Sequence, residues 1–275
     1  MPVTHLISGT CTLNLERPLI MGIVNTTPDS FSDGGQFLRH ERAVAHARRL
    51  IAEGADIIDI GGESTRPGAA PVSLQEELDR VMPVLDSLVA EGVPISIDTQ
   101  KTEVMREAIK RGATMINDVN ALQESGAIEV CAASNVSVCL MHKQGAPETM
   151  QQAPHYQNVV KEVSDFLIVR ADACLAAGIA HERIVIDPGF GFGKTVEHNF
   201  ALLRELRALT QTGYAVLAGF SRKSSLGSIT GRAPDDRLAA SLATVLIALQ
   251  NGASIIRVHD VKETVDVLKV WLAAR

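Results

Sequence analysis

The chain has 275 residues, enough to bury one large core or two small ones without disulfides or a structural metal. Apolar residues make up 46% and charged residues 21% of it, which is ordinary globular usage and excludes a disordered or low-complexity chain. The formal net charge of −6 argues against nucleic-acid binding through a broad basic face, although a small anionic ligand stays possible.

The N-terminal residues predict neither a signal peptide nor a membrane anchor. Residues 1–18 lack a basic segment followed by a long apolar run. The longest apolar stretch, residues 238–249, is too short to span a bilayer. The four cysteines form no C-x-x-C pair, so we interpret them as reduced, mostly buried thiols of a cytoplasmic protein.

Short apolar runs alternate with longer segments of helical periodicity. Residues before 19 alternate between apolar and polar and predict a short hairpin. The apolar runs are nearly continuous, as expected of strands buried on both faces of a parallel sheet. The eight predicted strands cover 19–24, 56–60, 94–97, 114–116, 136–141, 184–186, 214–218 and 254–258. The other predicted helices cover 41–53, 102–111, 121–133, 156–177, 195–209, 235–251 and 262–274, and one more begins at Ser73, where Glu76 completes a capping box.

A weak internal repeat supports this alternation. Residues 53–58, 111–116 and 251–256 each read as a helix end, a glycine, a short loop and an apolar strand. Eight strand–helix units in about 250 residues predict a single-domain α/β (β/α)8 TIM barrel over 1–275, with the hairpin at its bottom. An open, doubly wound sheet is the alternative architecture.

Polar residues follow each predicted strand. In a barrel the carboxyl ends of all strands meet at one mouth, where enzymes with this fold keep their active sites. The sequence therefore predicts a site at the mouth built from Asn25, Asp98, Asn117, His142, Asp187, Ser221, Arg222, Lys223, Arg257 and His259.

Each of these residues also has a structural explanation. Asp98 or Asn117 could cap the next helix or shape a turn, and Asp187 stands in an ordinary Asp-Pro-Gly turn sequence. Arg257 could pair with a carboxylate in the barrel wall, and His259 could cap the last helix. We favour the functional interpretation because every structural explanation would have to hold at one end of one barrel.

The segment 188–195 looks like a phosphate-binding loop because it ends in Gly-Lys-Thr. A Walker A motif needs a glycine five residues before its second glycine, and that position holds Pro188. We therefore interpret its glycines as a tight loop at the mouth.

Motifs along nearly the whole chain together resemble the dihydropteroate synthase family, in the family's order. They are NTTPDSFSDGG from Asn25, GGESTRPGA from Gly61, ISIDT from Ile95, INDVNAL from Ile116, LMHKQGAPETMQ from Leu140, DPGFGFGKT from Asp187, GFSRKS from Gly219 and IIRVHDV from Ile255. The resemblance implies a TIM barrel and a sulfonamide-targeted transferase of bacterial folate biosynthesis. That enzyme joins 6-hydroxymethyl-7,8-dihydropterin pyrophosphate to p-aminobenzoate, gives 7,8-dihydropteroate and pyrophosphate, and requires Mg²⁺.

The resemblance also implies residues for the pterin. One edge of the pterin ring presents an amino group and ring N–H donors, for which a buried carboxylate is a natural acceptor. The implied pterin-binding residues are Asp98, Asn117, Asp187 and Lys223 as polar partners, with Met141 and Phe192 as apolar walls.

The leaving pyrophosphate needs cations and donors, and the resemblance assigns Asn25, Arg257 and His259 to it. Asn25 is also the expected ligand of Mg²⁺, which would bridge phosphate oxygens. Departure of pyrophosphate leaves a cationic pterin methylene, so catalysis needs positioning and electrostatics more than a nucleophile. The expected catalytic residues are Asp33, Lys223, Arg257 and His259. Asp33 would stabilise that cation or order the loop 26–38 in which it lies.

Loops 26–38 and 64–70 are glycine-rich, polar and long, which predicts closing lids. Ser224 would meet the p-aminobenzoate carboxylate at a helix N-terminus, and Arg222 would add positive charge. The expected p-aminobenzoate residues are Phe31, Thr65, Arg66, Pro67, Arg222 and Ser224.

The alternative function is a pterin- or folate-binding barrel that lacks synthase activity. A carrier would not need both an anion site and a p-aminobenzoate loop, and the sequence contains both motifs. The expected partners are the small-molecule substrates, with no nucleic acid and no membrane. The family implies a homodimer, for which residues 238–249 are a candidate interface, with burial against the barrel as the equally open alternative.

Overall fold

The computed structural model describes residues 3–27, 36–64, 69–145, 150 and 153–275. Within them, eight parallel strands close into a barrel whose neighbours follow chain order, and the last strand pairs with the first. At least one helix follows each strand. This confirms the predicted (β/α)8 barrel and excludes the open sheet.

The hairpin consists of β1 (His5–Ser8) and β2 (Cys11–Asn14), paired antiparallel. Leu6 is fully buried among the apolar side chains inside the barrel. Ser8 Oγ donates to the carbonyl oxygen of Thr114 at 2.8 Å, just before a barrel strand begins. The hairpin therefore closes the amino-terminal end of the barrel, as predicted.

All eight predicted strands are present, with ends within two residues of the prediction. They are β3 (Leu19–Asn25), β4 (Ile57–Gly61), β5 (Ile95–Asp98), β6 (Met115–Asp118), β7 (Ser137–Met141), β8 (Ile184–Asp187), β9 (Ala215–Ala218) and β10 (Ile255–Val258). Most of their residues are buried, because the interior packs against one face and the helices against the other.

The helices surround the barrel. They are α1 (Gln36–Ala52), α2 (Leu74–Leu88), α3 (Thr102–Lys110), α4 (Ala127–Ala132), α5 (Val159–Ala176), α6 (Val196–Arg204), α7 (Arg207–Thr210), α8 (Ser224–Thr230), α9 (Leu238–Gln250) and α10 (Val261–Ala273). The predicted capping box of Ser73 and Glu76 starts α2. No helix of the described ranges is long and apolar enough to cross a membrane.

Four helices differ from the prediction. Helix α1 begins at Gln36, five residues before the predicted start at 41. The segment 121–133 is helical only from residue 127, because Ala121 and Leu122 have left-handed φ angles of 52° and 55°. The segment 195–209 divides into α6 and α7, and helix α8 was not predicted.

The repeated glycines end helices as predicted. Gly54, Gly112 and Gly252 all have positive φ angles. In each case the amide after the glycine donates to the carbonyl five residues earlier, which is the Schellman arrangement. The chain thereby turns directly from helix into strand at three points of the barrel.

Candidate active site

A charged network crosses the mouth of the barrel. Arg257, at the end of β10, donates through Nε to Asp59 Oδ2 at 2.6 Å and through Nη2 to Asp98 Oδ2 at 2.8 Å. Asn117 Nδ2 donates to the same oxygen of Asp59 at 3.2 Å. Strand register places Asp98 beside Asn117. The mouth therefore joins residues from four strands.

Burial controls the charges of this network. Burial raises the pKa of Asp98 to about 7, against the opposing effect of Arg257. Burial alone would lower the pKa of Arg257, but Asp59 and Asp98 raise it above its usual value. Arg257 therefore stays cationic, and its ion pair with Asp98 opposes the protonation of Asp98 that burial favours.

Asp59 was missed by the sequence analysis. Its side chain is fully buried, and its Oδ1 has no hydrogen-bond partner among the described residues. An acidic residue in the middle of an apolar strand was the available signal, because such a carboxylate needs a buried partner. Arg257 therefore pairs with carboxylates of the barrel wall, as its structural explanation required, and also lies at the mouth, as the functional interpretation required.

Asp187 forms the other side of the mouth. Its Oδ1 accepts the amide N–H of Gly189 at 2.7 Å, so the turn explanation is correct for one of its oxygens. Burial raises its pKa to about 6, and Lys223 opposes this effect. Lys223 Nζ lies 4.2 Å from the ring centroid of Phe192. Met141 is buried beside Asp187 in strand register.

His259 and Asn25 occupy the mouth near Arg257. His259 Nδ1 lies 3.0 Å from Ser221 Oγ, so the side chain does not cap α10. Burial and the cation of Arg257 lower the pKa of His259 to about 3, so its ring is neutral at physiological pH. Asn25 Oδ1 and Asp98 Oδ2 both lie 3.8 Å from the point where a Cβ on Gly61 would stand.

The segment before α8 has a strained backbone. Arg222 has a left-handed φ of 56°, and its guanidinium donates to both carboxylate oxygens of Asp260, at 3.0 and 2.5 Å. Ser241 Oγ accepts the amide N–H of Arg222 at 3.0 Å. Ser224 is exposed in the first position of α8. The charge of Arg222 is thus already paired within the chain.

Several predicted residues lie outside the described ranges. They are Phe31, Asp33, Thr65, Arg66 and Pro67, together with most of the first predicted lid and part of the second.

The described residues hold no group of three or more His, Cys, Asp or Glu side chains arranged to bind a metal. Mg²⁺ usually keeps several waters and takes one or two protein oxygens together with substrate phosphates. The oxygens of Asn25 and Asp98 above Gly61 fit that mode, in which the phosphates supply most of the ligands.

Comparison with known proteins identifies relatives over nearly the whole chain. A family model described as pterin binding enzyme matches residues 21–259. The dihydropteroate synthase of Haemophilus influenzae is 52% identical over 262 residues, which cover 95% of each chain. That of Escherichia coli is 51% identical over 259 residues, or 94% of this chain and 92% of the relative.

Solved structures agree with this similarity. The Xanthomonas albilineans dihydropteroate synthase with 4-aminobenzoic acid has a TM-score of 0.93 and 53% identity, and 98% of each chain is covered. The Burkholderia cenocepacia dihydropteroate synthase complexed with 7,8-dihydropteroate has a TM-score of 0.90 and 49% identity, covering 100% of this chain and 97% of that one. The Yersinia pestis dihydropteroate synthase with a sulfonamide drug complex has a TM-score of 0.94 and 48% identity, covering 98% and 99%.

Proposed function

The chain belongs to the dihydropteroate synthase family of pterin-binding enzymes, and on that premise we propose how its mouth residues divide the reaction. It is a transferase of folate biosynthesis. It condenses 6-hydroxymethyl-7,8-dihydropterin pyrophosphate with p-aminobenzoate to give 7,8-dihydropteroate and pyrophosphate. The observation that carries the proposed division is the network of Arg257, Asp98 and Asn117 facing Asp187 across the mouth.

The pterin is bound between the carboxylates of Asp98 and Asp187. Asp187 has one oxygen on the Gly189 amide, which leaves the other to accept a ring donor. Asn117 can donate and accept, and Lys223 donates to the ring carbonyl or a ring nitrogen. Met141 and Phe192 contact the faces of the ring. The buried, charge-paired setting supports this assignment, because it makes an unmatched ligand costly.

The pyrophosphate is bound by Arg257, His259 and Asn25. Arg257 shares its charge with Asp59 and Asp98, but these contacts use two of the five N–H donors of a guanidinium, and the other donors together with the nearby ring of His259 support an anion site here. Asn25 would hold Mg²⁺ together with the phosphate oxygens. When bound, the metal supplies positive charge that stabilises the leaving pyrophosphate.

The chain's own contribution to the chemical step is positioning and electrostatics. As the carbon–oxygen bond to pyrophosphate breaks, negative charge develops beside Arg257 while the pterin methylene becomes cationic. The carboxylates of the mouth stabilise that cation. Asp33 either adds to this stabilisation or orders the loop 26–38. The aniline nitrogen of p-aminobenzoate then attacks the methylene, and the resulting ammonium group gives its proton to the released pyrophosphate or to solvent.

The p-aminobenzoate subsite consists of Phe31, Thr65, Arg66, Pro67 and Ser224. The exposed hydroxyl of Ser224 at the start of α8 supports its part in this assignment. Arg222 is paired with Asp260, so its contribution to this subsite is the position of the turn and a partly neutralised charge.

The enzyme acts as a cytoplasmic homodimer. Helix α9 has no charged residue, and its Leu246 and Ile247 are 38% and 37% exposed, while Val245 and Leu249 on its other face are buried. The helix thus packs on the barrel and also presents an apolar surface. All four cysteines are free thiols, which supports a reducing compartment. Sedimentation of Leu246→Glu should give monomers; an unchanged sedimentation coefficient would place the interface elsewhere.

Pyrophosphate release, measured with and without p-aminobenzoate, tests the assignment. The synthase predicts release that depends on p-aminobenzoate and inhibition by a sulfonamide that p-aminobenzoate relieves. Pterin binding without release or dihydropteroate formation would favour the binding-only alternative.

A further inference from the structure

Lys194 is a buried amine that the reaction described above does not use. It follows the glycine-rich segment after Asp187 and is only 3% exposed. Its Nζ donates to His142 Nδ1 at 2.9 Å and to the carbonyl oxygens of Gly189 and Phe192, both at 3.0 Å. A fourth, longer contact of 3.3 Å reaches the carbonyl oxygen of His142. Burial lowers the pKa of His142 to about 3, so these partners are all neutral.

These contacts join two loops of the mouth. His142 follows β7, whereas Gly189 and Phe192 follow β8. The loops approach so closely that a Cβ on Gly189 would collide with the carbonyl oxygen of His142, and one on Gly193 with that of Gln144. Backbone therefore packs directly on backbone, and Lys194 provides the polar connection between the two loops.

Both loop carbonyls lead to pterin-binding side chains. Gly189 donates its amide N–H to Asp187 Oδ1 at 2.7 Å, and the ring of Phe192 lies 4.2 Å from Lys223 Nζ. A displacement of either carbonyl would shift the acceptor oxygen or the ring. Lys194 therefore acts on the pterin-binding side chains through these two carbonyls.

We propose that Lys194 is a positioning residue for the pterin substrate, which holds Phe192 and the Asp187 turn in their binding geometry through the carbonyls of residues 189 and 192. The inference rests on the pterin pocket proposed above.

The character of the position supports this role. A buried ammonium with neutral partners is expensive for a fold, and burial lowers the pKa of Lys194 to about 7. An apolar side chain of similar length would avoid that cost but would leave the loop carbonyls unpaired. An unfavourable contribution of this kind to the folding free energy is expected at functional sites.

The test compares Lys194→Met with Arg183→Met. Arg183 is also buried and also donates to backbone carbonyls, those of Val136 and Cys131, both at 2.8 Å, but it lies before β8 at the opposite end of the barrel. Both variants lose a cation that pairs with carbonyls, so both should melt at lower temperature. Only Lys194→Met should weaken binding of 6-hydroxymethyl-7,8-dihydropterin, by about tenfold in calorimetry. Its KM for p-aminobenzoate at saturating pterin pyrophosphate should stay unchanged.

A double-mutant cycle with Phe192→Leu separates positioning from general destabilisation. If Lys194 acts through Phe192, the loss of pterin affinity from Lys194→Met should shrink in the Phe192→Leu background. Unchanged pterin affinity in Lys194→Met or an equal loss in Arg183→Met would overturn the inference. Additive effects in this cycle would exclude the route through Phe192, and additive effects in a second cycle with Asp187→Asn as well would overturn the inference. Should Lys194→Met not fold, Lys194→Ala, which also removes the donor group and has a smaller side chain, takes its place in the comparison.

Asp187→Asn distinguishes this inference from the pterin pocket itself. If Asp187→Asn weakens pterin binding and Lys194→Met does not, only the inference fails. If neither variant changes the affinity, the pocket assignment fails as well.

Discussion

At the residue scale, each of the two mouth carboxylates of Asp98 and Asp187 has one oxygen in a structural contact, and we propose that the other oxygen accepts from the ligand. Asp187 gives one oxygen to the Gly189 amide, and Asp98 gives one to Arg257. The structural and functional explanations considered for these residues are therefore compatible, because a carboxylate has two oxygens and several lone pairs. A substitution that tests the ligand contact must replace one carboxylate oxygen and keep the other, which makes the structural contact.

Asp187→Asn meets that condition. The amide oxygen can keep the Gly189 hydrogen bond, while an NH2 group replaces the oxygen that faces the pterin. A ring donor then loses its acceptor, at a cost of about 1–3 kcal/mol, so pterin affinity should fall by roughly one to two orders of magnitude. Calorimetry with the pterin and thermal melting check this. Normal affinity with normal melting would leave Asp187 as a turn residue only.

Arg257→Ala should weaken binding of the pterin pyrophosphate substrate more than binding of the neutral pterin. Loss of one charge-assisted contact with the pyrophosphate costs roughly 1.5–3 kcal/mol. The variant should also melt earlier, because Asp59 and Asp98 lose the cation that they share. Calorimetry on both ligands measures the difference. Equal losses for the two ligands would move the anion site away from Arg257.

At the element scale, the strands and the glycine-ended helices were predictable because their signals are local. Continuous apolar runs mark strands buried on both faces, and the Gly54, Gly112 and Gly252 segments share one sequence form. Helix α8 was not predictable by pattern, since its seven residues are too few for a periodicity. The short α4 follows from left-handed backbone at Ala121 and Leu122, two residue types that give no signal for it.

Gly189→Ala should disrupt the contact between the loops after β7 and β8. The glycine has a φ of 67°, and a Cβ there would meet the backbone of His142. Gly92→Ala is the matched control, because Gly92 has a φ of 74° and no atom within 4 Å of the added Cβ. Both variants carry the backbone strain of about 1 kcal/mol, and only Gly189→Ala adds a collision.

Urea unfolding of the two variants measures the difference. Gly189→Ala should lose at least about 2 kcal/mol more than Gly92→Ala and should also bind pterin more weakly. Equal losses of stability would mean that the two loops can separate without cost.

At the scale of the whole molecule, barrel closure determines which site residues meet. The sequence placed Asp98, Asn117, Asp187 and Arg257 at strand ends, and one geometric rule brought them to one mouth. It could not give the pairing of Arg257 with Asp59, 198 residues away along the chain, or that of Lys194 with His142, 52 residues away. Such contacts depend on side-chain direction and strand register across the closed barrel.

The charges of the mouth also affect the pH dependence of global stability. Burial lowers the pKa of Lys194 to about 7, whereas an unfolded lysine titrates near 10.4. Between these values Lys194 binds a proton in the unfolded chain that it does not bind in the folded chain, so its contribution to the free energy of unfolding rises with pH. The contribution of one such group is at most about 1.4 kcal/mol per pH unit.

Comparing wild type with Lys194→Met between pH 7.5 and 9 isolates this contribution. The buried thiols of Cys131, Cys139 and Cys174, whose pKa values burial raises, also titrate in the unfolded chain there, but they are present in both proteins and cancel in the difference. Asp118 and Asp187, whose pKa values burial raises to about 6, lose their folded-state protons below this range, and Asp98 does so near pH 7. Urea unfolding of wild type and Lys194→Met at several pH values gives the free energy of unfolding of each protein as a line against pH. The free energy of unfolding of wild type should increase with pH relative to that of Lys194→Met, by up to the slope of one proton, because methionine cannot titrate. Parallel lines would show that Lys194 keeps its proton in the folded chain, with its ammonium group stabilised by the acceptors of the two loops.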